Sequence, residues 1–287
     1  CPRGMSTPTA SVRQNTTDVG HETPQRLRRR RDLVALLSLP LIVAVVALAQ
    51  ISEGGTLRAL VQPTAGLVVF GGTVAAMLLS YPSELLRRTL RAVGSVFHVG
   101  VAPNTAMVHR FEVLAVQARR HGTLSLEGEI PEHDTSFLSR ALQLVVDGID
   151  PAYARRTLEA YNDARESADL ECADVLESAA GYAPTLGIVG TVMGLIQVLK
   201  QLSAPAAMGE GLAVAFVATL YGVGLANLCL IPLATRLRAH ARSAAVTREL
   251  IVEAAVAIRT GVHPRLVSTQ LEGYIRSGER PVGFWGD

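Results

Sequence analysis

Four uncharged apolar runs, Leu33–Ile51, Thr64–Tyr81, Ala183–Leu199 and Leu212–Ala234, set the limits on what this chain folds into. A helix crossing a bilayer needs about 20 mostly apolar residues. Inside lipid its backbone must satisfy its own hydrogen bonds, which a helix does within one segment. The runs therefore predict an all-α, polytopic membrane protein with four transmembrane helices. Hydrophobic residues make up 49% of the 287 and charged residues only 18%, a balance that fits a chain partly dissolved in lipid.

The arginines orient the spans. Arg26 and Arg28–Arg31 precede the first run, Arg87, Arg88 and Arg91 follow the second, and Arg236, Arg238 and Arg242 follow the fourth. Both short loops between paired runs are poor in basic residues. The positive-inside rule then places both termini and the segment between spans two and three in the cytoplasm. A competing reading takes RRRRDLVALLSLPLIVAVVALAQ as a twin-arginine signal peptide cleaved near Ala47-Leu48-Ala49. A second span and an arginine-flanked domain follow, which argues against export.

The expected segments are a disordered basic extension (1–31, with Met5 a plausible start), spans one and two (32–81) and a cytoplasmic helical domain (82–180). Spans three and four (181–235) and C-terminal cytoplasmic helices with a tail (236–287) complete the chain. Phe111, Leu114, Ala115 and Ala118 recur at helical spacing, as do Leu138, Leu142, Val145 and Val146. Pro151 opens a long helix leading into the third span. After the fourth span an amphipathic helix, Arg236 to Thr260, stops at Gly261, and a short one runs from Pro264 to Ile275. No alternating strand pattern is present.

Several functions are excluded. Lys200 is the sole lysine and has no glycine loop before it, so there is no phosphate-binding P-loop. Cys1, Cys172 and Cys229 are dispersed and the seven histidines lack metal spacing, so no metal site or disulfide frame is readable. The net charge of +2, with no basic stripe, gives nucleic acid no footprint. His133-Asp134 stands alone, and no catalytic constellation or cofactor site emerges: the chain does not read as an enzyme.

The spans themselves hold no Asp, Glu, Lys or Arg, although a protein that moves ions needs an ionisable group at membrane depth. Either nothing is moved, or a partner helix supplies the carboxylate. Gly187, Gly190, Thr191 and Gly194 form one small-residue stripe in span three. Ala215, Thr219, Gly222 and Ala226 form another in span four. Such stripes let helices approach closely. On spacing alone, simple helix packing accounts for them, with the threonines bonded back to their own carbonyls. Pro184 and Pro232 read as helix-end prolines.

The residues also resemble a known family. EGGTLRALVQPTAGLVVFGGTVAAMLLSYP, YAPTLGIVGTVMGLIQVL, AVAFVATLYGVGLANLCLIPLA and RELIVEAAVAIRTGVHPRLVSTQLEGYI are similar, in order, to segments of the MotA/PomA flagellar stator family. The resemblance implies a ring, a pentamer, of this chain in the bacterial inner membrane around the spans of a MotB-type peptidoglycan-binding partner. The partner's aspartate carries the ion, and the cytoplasmic domain passes torque to the rotor protein FliG. It further implies an ion path lined by Thr191, Thr219, Pro184, Pro232 and Tyr221, with Gly187, Gly190, Gly194 and Gly222 packing the helices. ARRHGTLSLEGEI resembles the rotor-facing segment, giving Arg119 and Glu127 as rotor contacts, with Arg120 adjacent. Ala218 stands where sodium-type members carry a second threonine, so protons are expected. The rivals are an ExbB/TolQ-like or phage-defence subunit, and a membrane scaffold.

Overall fold

A computed structural model describes residues 33–52, 54–96, 105–131, 136–201 and 205–278. The basic extension, Glu53, Gly100–Pro103, His133-Asp134 and the last nine residues lie outside these. Among the described residues every regular element is helical. Helix α1 is Leu33–Ser52, with Pro40 inside it. Helix α2 runs through Pro63–Gly66, a π-helical segment Leu67–Gly71 and Gly72–Ser80. The smaller helices are α3 (Ser83–Val96), α4 (Thr105–His121) and α5 (Phe137–Val146), with a 3-10 segment at Thr123–Glu129.

Two long rods dominate. Helix α6 is Pro151–Lys200, 50 residues and therefore about 75 Å long. Helix α7 continues through Pro205–Gly224, a π-helical segment Leu225–Leu230 and Ile231–Arg259. Helix α8 is Pro264–Gly278. Among the described residues three helices are long and apolar enough to cross a membrane: Leu57–Ser80, Pro151–Lys200 and Met208–Arg259.

The ends of the rods follow local chemistry. Asp150 caps α6, its Oδ1 accepting from the N–H groups of Ala152 and Tyr153 at 3.0 Å, with Pro151 at the first helical position. Gly261, at φ 72°, lets the chain leave α7 in a left-handed turn that other residues resist. Pro205 starts α7 seven residues before the apolar run does. Gly209 and Glu210 therefore sit inside the helix, ahead of the apolar run.

Both rods are half apolar and half charged. Their charged halves join the small helices in one core: Phe111 and Leu114 of α4, Leu126, Leu142 of α5, Leu158 of α6, Leu250 of α7 and Leu271 of α8. Residues 105–131 and 137–146 thus pack as one body with 236–278, although the sequence divides them by two spans. Ion pairs lace α6 to α7 along their charged halves. Arg155 takes Glu253 in a two-pronged bond with Nη2 to Oε2 at 2.8 Å, and this bonding raises its guanidinium pKa above the usual range. Arg238 reaches Glu177 and Asp174. Tyr81 Oη lies 2.6 Å from Ser178 Oγ, and Ser80 Oγ lies 3.2 Å from Tyr182 Oη, fastening the end of α2 to α6 where its apolar half begins.

Candidate functional site

The apolar halves of α6 and α7 meet along glycine. A Cβ on Gly187 would lie 3.0 Å from the carbonyl oxygen of Ala218. One on Gly190 would lie 2.7 Å from Ala218 Cβ, and one on Gly194 would lie 2.8 Å from both Ala215 N and Gly211 O. From the other side, a Cβ on Gly222 would come within 2.6 Å of Ala183 O and 3.2 Å of Pro184 Cα. The two backbones are in contact here, closer than any side chain allows.

That approach brings the two threonines together. Thr191 Oγ1 and Thr219 Oγ1 are 2.6 Å apart. Thr191 Oγ1 also lies 3.0 Å from Gly187 O and 3.1 Å from Ala215 O, and Thr219 Oγ1 lies 3.4 Å from Ala215 O. Two hydroxyl protons therefore serve several oxygens: one bridges the hydroxyls and the other goes to a carbonyl. The site is a cluster of neutral oxygens with lone pairs to spare and no charge of its own. It suits accepting a hydrogen bond from a protonated acid, or giving neutral ligands to a cation. It cannot hold a net charge in lipid unaided.

The pair looks outward. Thr219 is exposed, and around it lie Phe216, 72% exposed, and Ile188, 60% exposed. Pro184 is on the Thr191 face of α6, seven residues and about 10 Å along the axis. Lacking an N–H, it leaves the Ala180 carbonyl without its usual helical donor. Pro232 is exposed on α7, just past the π-helical segment.

Tyr221 is not brought to the threonines. Its hydroxyl donates to the Leu60 carbonyl and accepts from the Gln62 N–H at 3.3 Å, and its ring packs against Phe70 with centroids 5.7 Å apart. Two residues along a helix turn the side chain by about 200°, so Tyr221 faces α2 while Thr219 faces out. Nothing in the local sequence signals this tie, since Leu60 is 161 positions away. Arg119 ends α4 and Glu127 lies in the 3-10 segment beyond Gly122, whose φ is 82°. Both are exposed, as is Arg120, and neither has an ion-pair partner among the described residues.

The fold and this site define a class: a helical membrane subunit whose two longest helices bury glycine against glycine and present an uncharged hydroxyl pair on an apolar face. The sequence model of the MotA/TolQ/ExbB proton channel family matches residues 129–249. Motility protein A of Treponema pallidum (strain Nichols) is 32% identical over 222 residues, which cover 77% of this chain and 86% of the relative. Among solved structures, the C. jejuni MotAB structure matches with a TM-score of 0.81 at 27% identity, covering 89% of this chain and all of that one. The flagellar MotAB stator complex from Bacillus subtilis matches with a TM-score of 0.80 at 27% identity, covering 87% of this chain and 98% of its own. The chain belongs to the motility protein A family, which is a channel and stator family and not an enzyme family.

Proposed function

We propose that this chain is one segment of a ring, a pentamer, surrounding the spans of a MotB-type partner, and that the ring turns as an ion moves on and off a partner carboxylate facing Thr191 and Thr219. Membership in the family makes it a flagellar stator subunit. The observation that carries the mechanism is the 2.6 Å contact between two hydroxyls on an exposed, uncharged apolar face. An ion-conducting site in lipid needs an ionisable group, and the apolar runs Ala183–Leu199 and Leu212–Ala234 have none, so the group comes from another helix.

In this reading α1 is the first of four spans, both termini and residues 82–180 are cytoplasmic, and the membrane is the bacterial inner one. Segments 32–81 and 181–235 lie in lipid and 236–287 returns to the cytoplasm. Pro184 and Pro232 bend or loosen the path-lining helices, which lets them follow the partner as its charge changes. Tyr221 serves the path indirectly, by fixing α7 to α2. Arg119 and Glu127 meet charges on the rotor protein FliG. The carried ion is the proton. A bare sodium ion needs several hard oxygen ligands, and the residue beside Thr219 is Ala218, wholly buried against Gly190 with no side-chain oxygen to offer.

Thr191→Leu tests the path. The bulkier side chain fills the space beside Thr219 and removes one hydroxyl. Cells carrying it assemble the partner complex, measured by co-purification, but do not swim. Normal swimming by an assembled Thr191→Leu complex would overturn the assignment.

A further inference from the structure

Below the apolar halves, α3, α6 and α7 enclose a cleft of about 410 Å³ that the stator mechanism leaves unused. Arg88, Asp169, His240, Arg248, Leu237 and Phe137 are among its lining residues. The feature that sets it apart is Arg248. Its side chain is only 13% exposed. Nε donates to Asn162 Oδ1 at 2.6 Å, which fixes the plane of the guanidinium. Nη2 is buried and has no hydrogen-bond partner among the described residues, and the carboxylate facing it, Asp169 Oδ2, stands off at 4.0 Å. The other oxygen of Asp169 is engaged by Arg88 Nη2 at 2.8 Å.

Leaving a buried charged donor unmade costs about 1–3 kcal/mol or more, a penalty native structures avoid unless the group has work to do. Burial is the largest influence on the Arg248 pKa and lowers it, nearby Arg165 adds to that, and Asp169 opposes it. With Arg88 and Arg248 against Asp169, the lining carries one net positive charge. Apart from His240 and Thr247 the remaining walls, Phe137, Leu237 and Ala241 among them, are apolar. An apolar pocket of this size with a few fixed polar groups is the usual form of a small-molecule site. A planar guanidinium fixed through Nε and left with an uncommitted Nη2 suits a phosphate oxygen.

We propose that this cleft binds the phosphate group of a small cytoplasmic molecule, with Arg248 as its anchor. Phosphate could also come from a lipid headgroup, but the depth favours the soluble source. Arg248 follows the end of the apolar run at Ala234 by about 21 Å of helix, while the headgroup layer is only about 5–8 Å thick on each side. That choice rests on the membrane placement proposed above; binding itself does not.

The test uses the full chain co-purified with its partner in detergent, and pyrophosphate as the probe, titrated by calorimetry against chloride at matched ionic strength. Saturable binding is expected, weakened about tenfold or more by Arg248→Gln. Ala244→Leu, which fills the cleft and keeps every charge, weakens it likewise, so the proposal stays testable if the arginine variant folds poorly. No saturable binding beyond the ionic-strength effect, or the same affinity in both variants, would overturn it. In a second arm the complex sits in phosphatidylcholine or phosphatidylglycerol nanodiscs. Equal pyrophosphate binding in both supports the soluble source, and Arg248-dependent loss in phosphatidylglycerol overturns it in favour of a lipid headgroup.

Discussion

Gly222 and Gly224 lie two residues apart on α7, yet replacing each with alanine has opposite consequences. A methyl on Gly222 would lie 2.6 Å from Ala183 O and 3.1 Å from Gly187 Cα, both backbone atoms that no rotamer change can move. An ordinary carbon-to-oxygen contact needs about 3.3 Å, so the rods must part by about 0.7 Å at their tightest crossing. Such overpacking costs about 1–3 kcal/mol, and the better helix propensity of alanine returns at most about 1 kcal/mol. The net loss of about 1–2 kcal/mol lowers Tm by about 2–8 °C, at about 2–4 °C per kcal/mol for a chain of this size. A methyl on Gly224 meets nothing within 4 Å, so Gly224→Ala keeps Tm or raises it by a few degrees. Thermal unfolding of the two purified variants in the same detergent decides the matter. Equal shifts would refute the claim that backbone contact at Gly222 sets the α6–α7 distance.

Arg155→Ala leaves Glu253, which is only 16% exposed, without its ion-pair partner and with only the bond from Gln270 Nε2, and is expected to cost about 2 kcal/mol after allowance for the partly exposed arginine. Arg238→Ala breaks bonds to two carboxylates but costs less than about 1 kcal/mol, because Asp174 and Glu177 are 59% and 42% exposed. Denaturant melts of the two variants check the order, and the reverse order would contradict it. Tyr221→Phe removes the bond to the Leu60 carbonyl and is expected to cost about 1 kcal/mol while cells still swim. Abolished swimming at unchanged stability would return Tyr221 to the ion path. Arg119→Glu with Glu127→Arg is expected to cut swimming speed without altering co-purification of the partner, as exposed and unpaired charges carry little stability.

Much of this was legible in the sequence because lipid imposes strong rules. The length of an apolar run, a proline at a helix start and a glycine past a helix end each follow from local chemistry. The course of α6 from Pro151 and the stop of α7 at Gly261 come from such signals. The threonine stripes were visible as spacing, but whether two hydroxyls touch depends on how far apart the rods lie, and that depends on both helices at once. Long-range ties left no trace. Tyr221 reads equally as a lining residue or a strut until Leu60 is seen beside it. The shared core of residues 105–131, 137–146 and 236–278 was hidden for the same reason, since each amphipathic face is locally plain and its partner is distant. Helix α7 begins at Pro205, seven residues ahead of its apolar run, because a helix tolerates Gly209 when its neighbours demand continuity.

The central claim is that the Thr191–Thr219 face meets a partner helix carrying the ion-binding carboxylate. Disulfide mapping in native membranes tests it most directly. Cysteine replaces Thr219 or Phe216 in a background with Cys229→Ala, and a second cysteine stands one helical turn from the aspartate in the partner's span. Leu79, 91% exposed on α2, is the control position. Cross-linking at Thr219 and Phe216 with none at Leu79 is the predicted result; cross-linking at Leu79 with none at the threonine face would contradict it.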